Sequence, residues 1–454
     1  MDIKKIVEDQ REYFTTGQTL ELSFRLEQLK KLKTSIKLYE KELFDSFMQD
    51  LNKCEYDVIL TELLLVNNEL DLMIKKLKKY AKPKKVSTSI LNPFAKGVII
   101  PEPYGTTLVV SPWNYPFQLA MIPVIGAMGA GNTVVLKPSS STPNVAQTIK
   151  KMLSVFDEKY ISVVIGSREE TKELFSCRFD FAFFTGGAKT GKELMKSLSE
   201  NLTPCVLELG GKSPAIIDFD ADLKLSAKRC VWGKFLNAGQ TCVAPDYFLV
   251  HETIKDKFIE LVKEEIQEKF YLAGVLTPNF VSIVNEKQKE RVEKLIDHSK
   301  VVEGGEFDGL TLKPTVLDNV CEEDPIMQEE IFAPIMPIVP FTALKEELDK
   351  LMHKEKPLAL YYFSTDEEKQ AMVMGAAHFG GGCVNDCIMH LTEEKLPFGG
   401  VGASGMGSYH GEKTFETFTH YKSVLVNNSK VNIPLKFMPY TRKKLKFLRW
   451  WANR

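Results

Sequence analysis

Three segments hold residue types able to do covalent chemistry. In Asn237-Ala238-Gly239-Gln240-Thr241-Cys242 an expected helix ends and a glycine-containing loop presents a thiol. Cysteine is the best soft nucleophile among side chains, and it acts as the thiolate. Its commoner fate is that of a small buried hydrophobe, and no histidine lies close by in sequence to serve as a protease-type partner. In Leu207-Glu208-Leu209-Gly210-Gly211-Lys212 an acid sits inside an apolar strand just before two glycines. Burial would raise its pKa and make Glu208 a general base near neutrality; the plain alternative is a Glu208–Lys212 pair or a bond to backbone. In Ser111-Pro112-Trp113-Asn114-Tyr115-Pro116-Phe117 two prolines stiffen a loop at the end of a strand. Loops past the carboxyl ends of parallel strands are where α/β folds bind ligands. The Asn114 amide is an uncharged donor suited to an oxyanion, although an Asn there also serves as a helix cap.

Other motifs are set aside on chemical grounds. Gly210-Gly211-Lys212-Ser213 resembles the end of a phosphate-binding P-loop, but Val206 stands where the first glycine belongs. Gly126-Ala127-Met128-Gly129-Ala130-Gly131 reverses the dinucleotide-binding order and falls at the end of a helix, so it reads as close packing. His378, Cys383, Cys387 and His390 have neither paired CxxC nor HExxH spacing, and no metal is expected there.

The elements that must hold these segments follow from periodicity. Leu22, Leu26, Leu29, Leu32 and Ile36 line one helical face, and Leu63, Val66, Leu70, Ile74 and Leu77 another. Pro83 ends this helical N-terminal part. Beyond it, strands over Thr106–Val110, Thr133–Leu136, Ile161–Ile165 and Phe179–Phe184 alternate with helices near 118–130, 142–155, 168–176 and 189–200. That spacing predicts βαβ units and a helix-covered parallel sheet. A second block has strands at Val206–Leu209, Ala215–Asp218 and Tyr247–Val250 and helices near 221–237 and 253–268, with a domain boundary near Glu208.

Composition narrows the class. The chain has 454 residues, 44% hydrophobic and 26% charged, the balance of a globular protein of two or three domains. Lys+Arg is 59 against 60 Asp+Glu, which does not favour a nucleic-acid partner. The longest apolar run, Phe117–Gly131, is too short to cross a bilayer. The N-terminus lacks the apolar core of a secretory signal, and the eight scattered Cys read as reduced thiols of a cytoplasmic protein. Residues 442–454 hold six of the basic side chains and no acid, together with Leu445, Phe447, Leu448, Trp450 and Trp451. Such a tail packs on the body or on a second subunit, or makes a weak contact with an anionic membrane surface.

Taken together the motifs match a family. The chain resembles the aldehyde dehydrogenase superfamily, most closely its class 3-like branch, over nearly its whole length. The resemblance rests on seven motifs in order: Pro112–Pro116, Leu136–Ser139, Phe184–Gly187, Leu207–Lys212, Gly239–Cys242, Glu329–Phe332 and Pro397–Gly400. It implies oxidation of an aldehyde with NAD or NADP as hydride acceptor. Cys242 would be the nucleophile, Asn114 and a backbone N–H the oxyanion donors, and Glu208 the base that activates the hydrolytic water. Lys137 would meet the adenosine ribose, Glu330 the nicotinamide-side ribose, and Gly186 and Gly187 the pyrophosphate, with Trp113 and Phe332 bordering the cleft. Ser140 stands where many NAD-selective relatives carry an acid, so a 2′-phosphate is not repelled and NADP use is open. Gly187 replaces a common Ser, and Ala333 replaces a common Gly. The rival readings are a CoA-acylating relative, which Glu208 argues against; a silent binding protein, which intact Cys242 and Glu208 argue against; and a metal hydrolase at His378–His390.

The expected architecture is α/β: a parallel-sheet cofactor domain, an α/β catalytic domain and a small β oligomerisation element. The ranges are 1–81 for the helical part of the cofactor domain, 82–105 for an oligomerisation hairpin, 106–207 for the NAD(P)-binding α/β domain and 208–407 for the catalytic domain. Residues 408–430 would return to the first domain and add an oligomerisation strand, and 431–454 form the basic tail. The resemblance implies a homodimer.

Overall fold

The structure is a computed structural model that describes residues 2–89, 92 and 94–453. Its N-terminal part is helical, as the periodicity predicts. Helices Ile3–Thr15, Leu22–Leu38 and Glu40–Leu51 precede a short Glu55–Val58 turn, a π-helical turn Ile59–Leu63 and the helix Leu64–Tyr80. Leu29, Leu32, Ile36, Leu63, Val66, Leu70 and Leu77 are buried, while Leu22, Leu26 and Ile74 pack at the margin. The apolar run becomes the helix Gln118–Ala130, in which every residue is buried. An added Cβ at Gly126 would lie 2.5 Å from Thr414, and one at Gly129 2.6 Å from Met73, so these glycines serve close packing.

Two sheets position the chemistry. The first runs in the order β19 (Gly405–Met406), β7 (Cys205–Glu208), β6 (Phe181–Thr185), β3 (Thr106–Val110), β4 (Thr133–Lys137), β5 (Ile161–Val163). All its pairs are parallel except β19–β7. From β3 the chain moves outward through β4 and β5, then returns to β3's other side at β6. The switch point therefore lies between β3 and β6, and a ligand crevice opens at their carboxyl ends. The second sheet runs β12 (Val301–Glu303), β15 (Thr315–Leu317), β16 (Ile335–Phe341), β9 (Tyr247–His251), β8 (Pro214–Ile217), β17 (Ala359–Phe363), β18 (Gly381–Val384). Only its β12–β15 pair is antiparallel. Two short hairpins, β10 (Tyr271–Leu272) with β11 (Val275–Leu276) and β13 (Phe307–Asp308) with β14 (Thr311–Leu312), lie outside it. A third sheet joins β1 (Lys84–Val86), β2 (Lys96–Pro103) and β20 (Thr419–Val426), with β2 and β20 paired from Lys96↔Val426 to Pro103↔Thr419.

Two local expectations are corrected. Glu208 is the last residue of β7 instead of an interior one, because the next amide, Leu209 N–H, turns to donate to Ser404 O at 3.0 Å. The helix expected over 221–237 runs Leu223–Phe235. It stops because Asn237, Ala238 and Gly239 all take positive φ, at 53°, 53° and 70°. Two consecutive left-handed non-glycine residues are a strained turn of the kind that persists where a site requires it.

Candidate active site

The left-handed turn leads into Cys242, which lines a cavity, and its neighbours lock the loop. The Gln240 side chain donates to Asn237 O at 3.1 Å and Ser282 O at 3.0 Å and accepts from Val284 N–H at 3.1 Å. Gly239 is required there: besides its positive φ, an added Cβ would lie 2.3 Å from Ala333 O. The Asn114 side chain donates to Gln240 O at 3.0 Å, and Asn114 O accepts from Asn237 Nδ2 at 2.9 Å. Asn114 therefore does not cap the helix that follows, which has no side-chain cap. The Tyr115 hydroxyl meets Thr241 Oγ1 at 2.6 Å, closing a second bond between the β3 loop and the thiol loop. Removal from water pushes the Cys242 thiol up to about 12, and the charges of Glu330 and Glu208 add to the effect. The amides of Cys242 and Val243 oppose it, so two N–H groups face the sulfur.

Glu208 is 2% exposed, and among the described residues neither carboxylate oxygen has a side-chain partner, the Gly400 amide being a weak backbone donor towards it. Burial holds its pKa well above the ordinary carboxylate value, with only the Gly400 amide opposing. Lys212 does not pair with it. Instead Lys212 Nζ binds Asp246 at 2.5 Å, Ile326 O at 3.0 Å and Glu329 O at 2.8 Å. A buried acid without partners is costly as an anion and waits as a proton acceptor only if something polar arrives.

The Glu329–Phe332 loop is clamped from three sides. Arg291 donates to Glu329 Oε1 at 2.9 Å, Glu330 O at 3.1 Å and Ile331 O at 2.7 Å. Asp246 Oδ1 accepts from Ile331 N–H at 2.9 Å, and Lys212 holds Glu329 O. Glu330 lies against the backbone at Gly210, where an added Cβ would fall 2.1 Å from its Oε2. Burial, then the Asp246 charge, raise its pKa to about 8. Phe332 has φ 50° and sets its ring edge-on to Trp113 at 5.4 Å. Arg291, Asp246, Lys212, Tyr115 and Thr241 escaped sequence reasoning. Tyr115, Thr241 and Lys212 stood inside quoted motifs; Arg291 and Asp246 carried no local signal, since their partners are distant in the chain.

At the first sheet's carboxyl edge, Lys137 ends β4 and is buried, with Nζ on Pro138 O at 2.9 Å. Ser140 is exposed just beyond. Gly186 N–H donates to Glu208 O at 3.0 Å, and Gly187 begins the helix Ala188–Ser199 with open space where a Cβ would be. An uncrowded helix N-terminus beside a buried lysine suits a dinucleotide pyrophosphate and ribose. Cys242 also lines a cavity of about 280 Å³ walled by Leu64, Leu119, Trp232, Leu236, Ile388 and Phe398. Away from the site, Cys383 Sγ lies 3.6 Å from His390 Nδ1, but among the described residues no three His, Cys, Asp or Glu side chains are grouped to hold a metal ion.

Cys242 lies on a loop bonded to Asn114, within electrostatic reach of the buried Glu208 and Glu330, and lines an apolar cavity. The aldehyde dehydrogenase family profile matches residues 1–424. The chain belongs to the aldehyde dehydrogenase family. It falls in the class 3-like branch. It is 44% identical over 447 residues to the 4,4'-diaponeurosporen-aldehyde dehydrogenase of Staphylococcus aureus, covering 97% of each chain. Mouse aldehyde dehydrogenase family 3 member B3 is 39% identical over 446 residues, 97% of this chain and 93% of that one. A solved structure of Staphylococcus aureus AldH in its substrate-bound state superposes with a TM-score of 0.97 at 43% identity, covering all of both chains. The α/β fold, the aldehyde dehydrogenase activity and the use of NAD or NADP as hydride acceptor follow.

Proposed function

We propose that this aldehyde dehydrogenase works through a thioester on Cys242. The Cys242 thiol gives up its proton to solvent water, and the thiolate attacks the aldehyde carbon; the Asn114 amide and the Cys242 N–H hold the oxyanion that forms. NAD or NADP supplies the hydride acceptor. Loss of hydride from the sulfur adduct leaves the thioester, and Glu208 takes a proton from the water that hydrolyses it to the acid, returning the thiolate. The observation that carries this is the pairing of Asn114 with the thiol loop, together with a buried Glu208 that has no side-chain partner among the described residues and acts electrostatically on Cys242. Lys137 and Ser140 would receive the adenosine ribose, Gly186 and Gly187 the pyrophosphate, and Glu330 the nicotinamide ribose, with Trp113 and Phe332 shaping the cleft. Without an acid at Ser140, a 2′-phosphate meets no repulsion, so both cofactors are accepted. We divide the chain at Glu208, with the first sheet as the cofactor lobe and the second as the catalytic lobe. The β1–β2–β20 sheet, with its free edges, is the element of a homodimer.

The cavity walls support aldehydes with apolar bodies. Each buried methylene contributes about 0.8 kcal/mol, so kcat/KM should climb roughly fourfold per carbon along straight-chain aldehydes until the cavity is full. A panel from acetaldehyde to decanal, run with NAD and with NADP and read as absorbance of the reduced cofactor, checks this. Preference for short or charged aldehydes would overturn it.

We also propose a cytoplasmic protein whose basic tail touches an anionic membrane surface. No helix among the described residues is long and apolar enough to cross a membrane. The tail helix Arg442–Ala452 instead exposes Leu445, Phe447, Leu448 and Trp450 beside Arg442, Lys443, Lys444, Lys446 and Arg449. Each cation near an anionic surface adds about 1 kcal/mol. Full-length protein should sediment with phosphatidylcholine–phosphatidylglycerol vesicles and be released by salt, whereas a 442–454 deletion should stay in solution. Equal sedimentation of both proteins would remove the tail from membrane binding.

A further inference from the structure

One buried ion pair stands behind the β3 loop and is not used by the chemistry above. Lys53 Nζ and Glu62 Oε1 are 3.1 Å apart, with side chains 1% and 0% exposed. Glu62 lies on the π-helical turn Ile59–Leu63, whose Leu60 and Thr61 face the cavity beside Cys242. Such turns insert one residue into a helix and recur at functional sites. The second Glu62 oxygen accepts from Gln118 N–H at 2.7 Å, the first residue of the helix Gln118–Ala130. That helix has no capping side chain of its own, so Glu62 performs this service from another helix. Lys53 Nζ sits over the Tyr115 ring at 4.4 Å from its centre. The two charges thus grip the residues on either side of Pro116.

The same corner reaches the thiol loop by a second route. Leu51 O accepts from Ser282 N–H at 2.9 Å, and Ser282 O accepts from Gln240 Nε2 at 3.0 Å. Asn52, which precedes Lys53, takes φ 52° and donates to Pro278 O and Phe280 O, both at 3.1 Å. Asn114 and Cys242 lie on different lobes, and this corner touches the support of both.

A buried ion pair is weak evidence for stability, since apolar residues of similar volume often serve as well. Its value is directional: the carboxylate fixes where the helix begins, and the ammonium fixes the Tyr115 ring. We propose that Lys53 and Glu62 are positioning residues that set Asn114 against Cys242, and so tune oxyanion capture from outside the site. The inference rests on the roles given above to Asn114 and Cys242.

The test is a set of variants assayed on the intact enzyme. The double variant Lys53→Met/Glu62→Gln removes both charges and keeps a carbonyl acceptor for Gln118. It should lower kcat about tenfold to a hundredfold, the scale of a misplacement near 1 Å, and leave the cofactor KM unchanged. In an Asn114→Ala background the same double change should cost nothing further. Lys53→Arg should keep most of the wild-type kcat. Tyr115→Phe, which deletes only the hydroxyl on Thr241, gives a milder route to the same readout if the double variant folds poorly. Wild-type kcat in the folded double variant would overturn the proposal whatever Tyr115→Phe does, as would an equal loss in the presence and absence of the Asn114 amide. If Asn114→Ala by itself kept wild-type kcat, the oxyanion reading would fall, an outcome separate from failure of the positioning pair.

Discussion

Cys242→Ala will abolish aldehyde oxidation while leaving dinucleotide binding intact, and Cys242→Ser will retain less than about a thousandth of wild-type kcat. The loss is large because no other group in the cavity can form a covalent adduct that expels hydride. A serine hydroxyl is a far weaker nucleophile at neutral pH than a thiol. Fluorescence quenching by added NAD or NADP separates binding from turnover. The same thiol has a pH signature. With its pKa pushed to about 12 by removal from water, Cys242 is protonated at neutral pH when no cofactor is bound. Because only the thiolate reacts, alkylation by iodoacetamide should rise close to tenfold per pH unit from about 7 to 10, followed by peptide mass spectrometry. A flat profile would mean that the sulfur is already ionised and that the burial argument is wrong. Residual oxidation in the alanine variant would move the nucleophile elsewhere.

Glu208→Gln will divide the reaction in two. The first turnover should still release one reduced cofactor per site, because adduct formation and hydride loss use Cys242 and Asn114. Steady turnover should then fall about a hundredfold to ten-thousandfold, the usual contribution of a general base, and the acyl group should be found on Cys242 by intact mass. The wild-type steady rate should climb with pH along a limb set above the ordinary carboxylate range, since burial raises the Glu208 pKa and only the ionised form accepts a proton. The glutamine variant should lose that limb. An unchanged steady rate would assign water activation to another group. Acyl transfer to added coenzyme A by the wild-type enzyme, in preference to hydrolysis, would revive the acylating reading.

The sequence made the first sheet readable because its strands are short apolar runs separated by clean helical periods. β3 and the helix Gln118–Ala130 lie where alternation and the Pro-flanked loop predict them. The roles expected of Cys242, Glu208 and Asn114 came from motif resemblance; residue chemistry alone favoured a helix cap for Asn114 and left a Lys212 pair open for Glu208. What sets the cap and the pair aside is tertiary: Asn114 bonds to Gln240 O, 126 positions along the chain, and Lys212 is taken by Asp246. Strands β15 to β18 were not marked out, since Gly- and Pro-containing runs such as Gly381–Val384 lack the alternation of a half-buried strand. The left-handed run at Asn237 and Ala238 was also invisible, because neither residue is the glycine that would signal positive φ. Arg291 and the Lys53–Glu62 pair act through space and left no pattern along the chain.

Strand β19 carries a further implication. Its Gly405 pairs with Glu208, and Gly186 N–H bonds Glu208 O from the other side. The sheet that the chain starts building at β3 is thus closed only by residues that leave the ribosome some three hundred positions later, after the whole second sheet. A nascent or truncated chain ending before Gly405 would leave β7 as a raw border with unpaired amides, a template for pairing with strangers. Late synthesis, and any protease that nicks the chain ahead of that point, therefore bears directly on where Glu208 sits.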